Sequence, residues 1–384
     1  MSAPVRILQV TIGDGSFGGV ASFLYNYYAH MDHDRVHFDF LYCGRNAMAS
    51  RADTEVLRGS TITELGILKA SNNGFGEYRR LIAALKDFFD RNRYDIVHVN
   101  SSNPYVNACV AHVLKGRTVY IAHSHNTEAT VPHGSGLKRL VKSVIRACSR
   151  GYICQRASAL FACSVEAGAY LFGEKNLRNG KFRVINNAID VTQYAYDPAI
   201  RRRQRDGNGI VVGYVGRLAE QKNPLFAIEV FKQIHARRPN AVLWMVGEGE
   251  LMDRARREIE ASGLGDRARL PGRIDDVSAA MQGMDLLLFP SLYEGFGIVA
   301  IEAQCSGLPV LASDSVPTAA NVTGLVSYLP LSIGPAAWAE AALAIVDGNA
   351  DRCDRTGDVR RAGFDIREEA GKLERFYINT ANRE

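Results

Sequence analysis

The stretch from 290 to 313 constrains this chain more than any other. It reads Pro-Ser-Leu-Tyr-Glu-Gly-Phe-Gly-Ile-Val-Ala-Ile-Glu-Ala-Gln-Cys-Ser-Gly-Leu-Pro-Val-Leu-Ala-Ser. An apolar run, Leu286-Leu287-Leu288-Phe289, leads into it, and Pro309-Val310-Leu311-Ala312 lies near its end. The order is therefore strand, glycine loop, helix, strand. Gly295 and Gly297 let the backbone turn tightly and come close to a ligand. A helix opening near Gly297 would aim unpaired N–H groups at the loop and form an anion site. Glu294 lies at the loop mouth. Glu302 lies further along the helix, where a carboxylate can accept paired hydrogen bonds from adjacent hydroxyls. An anion site between two such carboxylates suits a phosphorylated sugar.

The rest of the chain supplies the setting. Strand-like runs at 6–12, 37–42, 96–100, 118–123, 159–164 and 182–185 alternate with helical patterns at 17–31, 77–92 and 105–114. A polar run at 197–208 reads as a linker, and the alternation then restarts. Strands are expected at 210–215, 241–246, 268–270, 286–289 and 310–312, with helices at 224–236 and 250–262. Alternation of this kind predicts α/β architecture with a parallel sheet in each half. At 384 residues the chain is long enough for two such domains.

The Glu294-x7-Glu302 motif in this setting resembles the retaining nucleotide-sugar glycosyltransferases of family four. The Ile-Ala-His-Ser-His-Asn segment at 121–126 and Val322-Thr-Gly-Leu-Val look like the bacterial exopolysaccharide and capsule enzymes. The resemblance implies the GT-B architecture, two Rossmann-like domains facing a central cleft. It places an acceptor domain at 1–192, a donor domain at 193–369, and a last helix at about 370–384 that returns to the first domain.

Site residues follow from the same match. In the resembled family a Gly-Gly pair at the start of the first helix approaches the donor phosphates, and Gly18-Gly19 fits that place. Gly13, Gly15 and Gly18 also match a dinucleotide fingerprint, with Asp39 standing in for its ribose carboxylate, so an NAD-dependent dehydrogenase is a rival reading. Arg217 and Lys222 sit on a loop at a strand's end and resemble the family's diphosphate-binding pair. His123 aligns with the family histidine beside the reacting sugar, with His125 as competitor. Gly247 would leave room for the nucleoside, and the backbone at Arg273-Ile274 would read the base. Glu294 would hold the sugar hydroxyls, Glu302 the ribose, and the Gly295-Phe296-Gly297-Ile298 turn the phosphates.

Charge is unevenly spread. Residues 1–192 hold 23 Lys and Arg against 15 Asp and Glu; residues 193–384 hold 23 against 26. No aromatic-basic stripe or DNA-binding motif accompanies the basic half, so nucleic acid is not an expected partner. A basic amphipathic helix is expected at 136–150. Leu137, Lys138, Arg139, Val141, Lys142, Ile145 and Arg146 would face an anionic membrane or a lipid-diphosphate acceptor. Seven cysteines at irregular spacing, with no Cys-x-x-Cys pair, fit a reducing cytosol. No apolar stretch is long enough to span a bilayer, and the first residues lack a signal-peptide pattern. The expected location is therefore cytoplasmic, with peripheral contact at the membrane. Asp32-His33-Asp34 has the form of a metal signature but falls in a turn away from the expected site, and Asp275-Asp276 reads as a helix cap. No metal or cofactor is expected.

The expected reaction moves a hexose, foremost from a UDP-linked donor, to a hydroxyl of a glycan or lipid-linked glycan with retention. A 2-epimerase or phosphorylase on the same fold, the dehydrogenase, and a non-catalytic sugar-nucleotide-binding module are the alternatives.

Overall fold

The computed structural model describes residues 3–13, 15, 18–48, 51, 54–69, 73–116, 118–125, 137–205, 207, 209–348 and 352–382, with the backbone alone at 137–142. Among them thirteen strands form two all-parallel sheets. Burial on both faces explains why these strands read as continuous apolar runs rather than alternating ones.

The first unit takes in Met1–Asn187 and Ile366–Glu384. Its strands are β1 (Val5–Thr11), β2 (Val36–Tyr42), β3 (Ile62–Glu64), β4 (Ile96–Asn100), β5 (Val119–Ser124), β6 (Ala159–Ala162) and β7 (Phe182–Val184), in the order β3-β2-β1-β4-β5-β6-β7. The second unit, Ala188–Asp365, holds β8 (Val211–Val215), β9 (Val242–Val246), β10 (Ala268–Gly272), β11 (Leu286–Phe289), β12 (Val310–Ser313) and β13 (Val326–Leu329). Their order is β10-β9-β8-β11-β12-β13. In each sheet the strand order reverses once, between β1 and β4 and between β8 and β11. Ligands of such sheets bind beyond the C-terminal strand ends at that switch point.

The last helix, Ile366–Ala381, belongs to the first unit. Glu374 pairs with Arg35 at 2.7 Å and accepts the Asp32 N–H at 2.9 Å, and the Tyr377 ring packs edge-on to Phe38. The Asp32-His33-Asp34 turn is thus bound to this helix, with both aspartates exposed.

The run at 197–208 corrects the linker reading. Pro198–Gln204 is a helix within the second unit, capped by Asp197 through the Ala199 N–H. Arg201 and Arg205 both pair with Asp285 at the foot of β11, and Arg201 also donates to the carbonyls of Gln282 and Met284. The arginine-rich run looks like solvated linker only while its partners, some eighty residues away, are unknown.

The basic helix spans Leu137–Arg156, and the side chains of Leu137, Lys138, Arg139, Val141 and Lys142 lie outside the described residues. Val144 and Ile145 keep about half their surface exposed, at 54% and 48%, while Ile153 and Cys154 are buried. Arg146 departs from the expectation. Its guanidinium lies over the Tyr170 ring at 4.4 Å, so it packs against the domain rather than facing outward. Among the described residues no helix is long and apolar enough to cross a membrane.

Candidate active site

The second unit concentrates the expected donor residues at its switch point. The loop after β8 carries Arg217 and Lys222; the loop after β11 carries Glu294. The two loops are joined directly. The Leu292 N–H donates to the Gln221 carbonyl at 2.8 Å, and the Gln221 amide donates to the Tyr293 carbonyl at 3.0 Å. Lys222 Nζ is hydrogen-bonded to Glu294 Oε1 and stands over the Phe289 ring. The Tyr214 hydroxyl on β8 donates to the Arg217 carbonyl at 3.1 Å, holding the loop from below. Glu294 is only 7% exposed, whereas Arg217 is open to solvent. A lysine fixed on a nearly buried carboxylate is a preorganised charge.

Gly297 adopts φ +89° and caps the helix Ile298–Cys305. A Cβ there would lie 2.9 Å from the Phe289 ring, so glycine is required both by conformation and by space. Phe296 is buried and stacked on Phe364, which makes it a packing anchor of the turn. Ile298 and Gly295 are half-buried.

Glu302 lies one turn into this helix. Burial raises its carboxyl to about 7, against hydrogen bonding from the Tyr194 hydroxyl and the charge of Lys222. Tyr194 is a site neighbour that the sequence reading missed. Its only signal is a tyrosine in the segment entering the second domain. From the same helix, Gln304 Oε1 accepts the N–H groups of Val322 and Thr323 and the Thr323 hydroxyl, each at 3.0 Å. The Val322-Thr-Gly-Leu-Val segment is therefore pinned to the helix that carries Glu302.

Gly247 has a structural reason of its own. At φ +135° its missing Cβ would fall 1.9 Å from the Gly216 carbonyl, where the ends of β8 and β9 converge. Arg273 is exposed and Ile274 half-buried, just past β10. Asp276 accepts the Ala279 N–H at 2.8 Å and caps its helix, as expected.

In the first unit, Gly18 and Gly19 open the helix Gly19–Ala29, and a Cβ on either would meet nothing within 4 Å among the described residues. No contact among the described residues therefore requires glycine at either position. Gly13 differs: at φ +68° an added Cβ would lie 2.1 Å from the Arg45 carbonyl, so this glycine serves the turn. Asp39 corrects the dinucleotide reading. It sits in the middle of β2, beside Leu8, and is bonded to Arg6, His37 and the Thr61 N–H. Burial opposes its charge, but bonds from His37, Thr61 and Arg6 outweigh that and hold its carboxyl well below the usual range. A carboxylate so occupied is not a ribose ligand.

His123, near the end of β5, is fully buried in a cluster with His98 and His125. The Phe23 ring stands edge-on to His123 and His125, at 5.2 and 5.0 Å. Burial drives His98 and His125 down to about 3 and His123 well below its ordinary value, so all three are neutral. His125 Nε2 lies 3.0 Å from Asn100 Oδ1, while His123 Nε2 has no partner among the described residues. The His123 carbonyl accepts the Ser101 N–H at 3.0 Å, so one of its lone pairs is committed between the strand ends. His98 and Tyr377 are further members that sequence reading missed.

The sequence matches the family model described as Glycosyltransferase Family 4 over residues 17–193 and that described as Glycosyl transferases group 1 over 197–325. It is 28% identical to the Bacillus subtilis (strain 168) protein named glycosyltransferase EpsF, over 98% of this chain and 97% of that one. It is also 28% identical to the Escherichia coli UDP-Gal:alpha-D-GlcNAc-diphosphoundecaprenol alpha-1,3-galactosyltransferase, over 61% of each. Among solved structures, Anabaena HepE in complex with UDP superposes with a TM-score of 0.72 at 18% identity, covering 97% of this chain and 99% of that one. A Rickettsia africae glycosyltransferase superposes with a TM-score of 0.74 at 14% identity, over 99% and 100%. Two parallel-sheet domains, and two successive family matches that together cover most of the chain, lead to one conclusion: this protein belongs to the GT-B glycosyltransferases, a family 4 domain followed by a group 1 domain.

Proposed function

We propose that the protein is a retaining, metal-independent hexosyltransferase. It takes its sugar from a nucleotide-diphosphate donor, foremost a UDP-sugar, and passes it to a hydroxyl of a glycan or lipid-linked glycan in polysaccharide synthesis. The observation that carries the reading is the Lys222–Glu294 pair at the β8/β11 switch point, beside the Gly297 helix cap. Lys222 and Arg217 would bind the diphosphate, and negative charge grows there as the glycosidic bond breaks. Glu294 would hold the sugar hydroxyls and Glu302 the ribose. Gly18 and Gly19 would let the backbone reach the phosphates, and Gly247, Arg273 and Ile274 would border the nucleoside. His123 would touch the sugar. The E. coli relative carries a diphosphoundecaprenol acceptor in its name, and solved neighbours contain UDP; both support the choice of substrates here. Exposed Val144 and Ile145 on a basic helix support contact with an anionic membrane.

The test is a thermal-shift screen of UDP-glucose, UDP-galactose, UDP-N-acetylglucosamine and GDP-mannose, followed by turnover with the best donor. A donor at about 100 times its Kd stabilises by roughly 2.7 kcal/mol. The anomeric proton coupling of the first-formed product should show retention, and activity should survive EDTA. Absence of any donor-induced shift would refute the donor assignment. An inverted product would refute retention. Activity lost to EDTA and restored by Mg²⁺ or Mn²⁺ would overturn metal independence and bring Asp32 and Asp34 back into question.

A further inference from the structure

The buried polar network around His123 has a direction that can be worked out bond by bond. Asn100 Nδ2 lies 3.2 Å from the His98 backbone carbonyl, an acceptor that cannot be anything else. That fixes which end of the Asn100 amide is the donor. The same Nδ2 donates to Gln9 Oε1 at 2.8 Å, which in turn fixes Gln9. Gln9 Nε2 then donates to the Tyr377 hydroxyl, at a long 3.4 Å. With an N–H already directed at its oxygen, the Tyr377 hydroxyl must place its own hydrogen elsewhere, and His98 Nδ1 is 2.7 Å away. His98 is then protonated on Nε2 and donates to His123 Nδ1 at 3.2 Å. His123 is left with its hydrogen on Nε2, the atom without a partner among the described residues. The opposite direction would strand the Tyr377 hydrogen in a fully buried place.

We infer that Tyr377, on the C-terminal helix, is a positioning residue that acts through His98 to hold His123 as a neutral imidazole whose single N–H, on Nε2, has no partner among the described residues. This rests on the reading of His123 as a residue that touches the sugar. It goes beyond that reading in one respect: His123 can donate a hydrogen bond to a substrate oxygen but cannot accept a proton from one, because its other nitrogen is engaged by His98. His123 is therefore not the base of the reaction. A buried N–H without a partner costs about 1–3 kcal/mol, and such groups in native structures call for a functional reason. The second branch of the network is consistent, since Asn100 Oδ1 is left to accept from His125 Nε2. Burial lowers the proton affinity of all three rings, so none becomes a charged imidazolium near neutrality.

The experiment uses the full chain labelled with 15N-histidine. Two-bond proton–nitrogen correlation spectra at pH 7 report the tautomer of each ring, assigned by His98→Asn and His123→Asn. Both His98 and His123 should be neutral Nε2–H forms in the unaltered protein. Tyr377→Phe removes only a hydroxyl and keeps the ring that packs on Phe38. It should turn both into tautomer mixtures. With the donor selected by thermal shift, the same variant should lose about tenfold in kcat, the scale of one net hydrogen bond, with KM for the donor within twofold. A His123 carrying its hydrogen on Nδ1, or a charged His123, overturns the inference. So do unchanged tautomers in Tyr377→Phe. The spectra need no substrate, which keeps this result separate from the site assignment. If His123→Ala keeps full kcat while the tautomers behave as stated, it is the role of His123 in the reaction that fails.

Discussion

Replacing Lys222 by alanine is the sharpest test of how the donor site is built. The change leaves the Glu294 carboxylate 7% exposed and without its lysine. Two unit charges about 4 Å apart attract by about 4 kcal/mol at an effective dielectric of 20. Desolvation offsets part of this in the intact pair, but removing one partner of a buried pair still costs about 3–5 kcal/mol. The Lys222 side chain is 20% exposed, and water entering the site lowers the figure to about 2–4 kcal/mol. The assay is favourable because both tryptophans, Trp244 and Trp338, lie in the second unit. Tryptophan fluorescence during urea unfolding therefore follows the domain that carries the pair. With a slope of about 2–3 kcal/mol/M, the midpoint should fall by roughly 1 M. Lys222→Ala combined with Glu294→Gln should recover part of that loss while remaining inactive, giving a coupling energy above about 1 kcal/mol in the double-mutant cycle closed by Glu294→Gln alone. A coupling near zero would mean the pair is no more than a solvated surface contact, and the preorganised-charge argument would collapse with it.

Glu302 should make UDP binding pH-dependent. Its folded value of about 7 lies above the ordinary carboxyl value, and only the carboxylate accepts two hydroxyls, so affinity should fall as pH drops from 7.5 to 5.5. The same raised value means the ionised group costs stability. The fold should lose stability from this residue as pH rises from about 4.5 through 7. Calorimetry in buffers of different ionisation enthalpy should detect a proton released on UDP binding in the unaltered protein and none in Glu302→Gln; equal proton counts would sink the assignment. Gly18→Ala and Gly19→Ala should leave the unfolding curve unchanged yet lower turnover, because the added methyl meets no atom of the described residues within 4 Å. Gly247→Ala should instead destabilise the second unit by about 1–3 kcal/mol, from strained backbone and the clash with the Gly216 carbonyl. The reverse pattern would show that the two glycine sites have been misassigned. Lys138→Gln/Arg139→Gln/Lys142→Gln should weaken binding to anionic liposomes by about 3 kcal/mol, at about 1 kcal/mol per charge removed. Wild-type binding should also vanish in 1 M salt, and failure of the wild type to sediment with such liposomes at low salt ends the membrane proposal.

The sequence alone determined the architecture, because parallel strands buried on both faces are largely apolar and alternate with helices. Runs such as 96–100 and 286–289 coincide with β4 and β11. Strands β3 and β13 escaped, since Ile-Thr-Glu and Val-Ser-Tyr-Leu are broken by polar residues and form no continuous apolar run. The Glu294 and Glu302 spacing and the Arg217–Lys222 loop were legible for a similar reason: each motif lies on one local element whose shape its own residues dictate. What only tertiary structure decided was pairing across the chain. Arg201 finds Asp285, Asp39 is bound by Arg6, His37 and Thr61, and Tyr377 reaches His98 across 279 positions. A charged or hydroxyl side chain looks the same in sequence whether solvent or a distant partner satisfies it. The cost of leaving it unsatisfied appears only when folding removes the water.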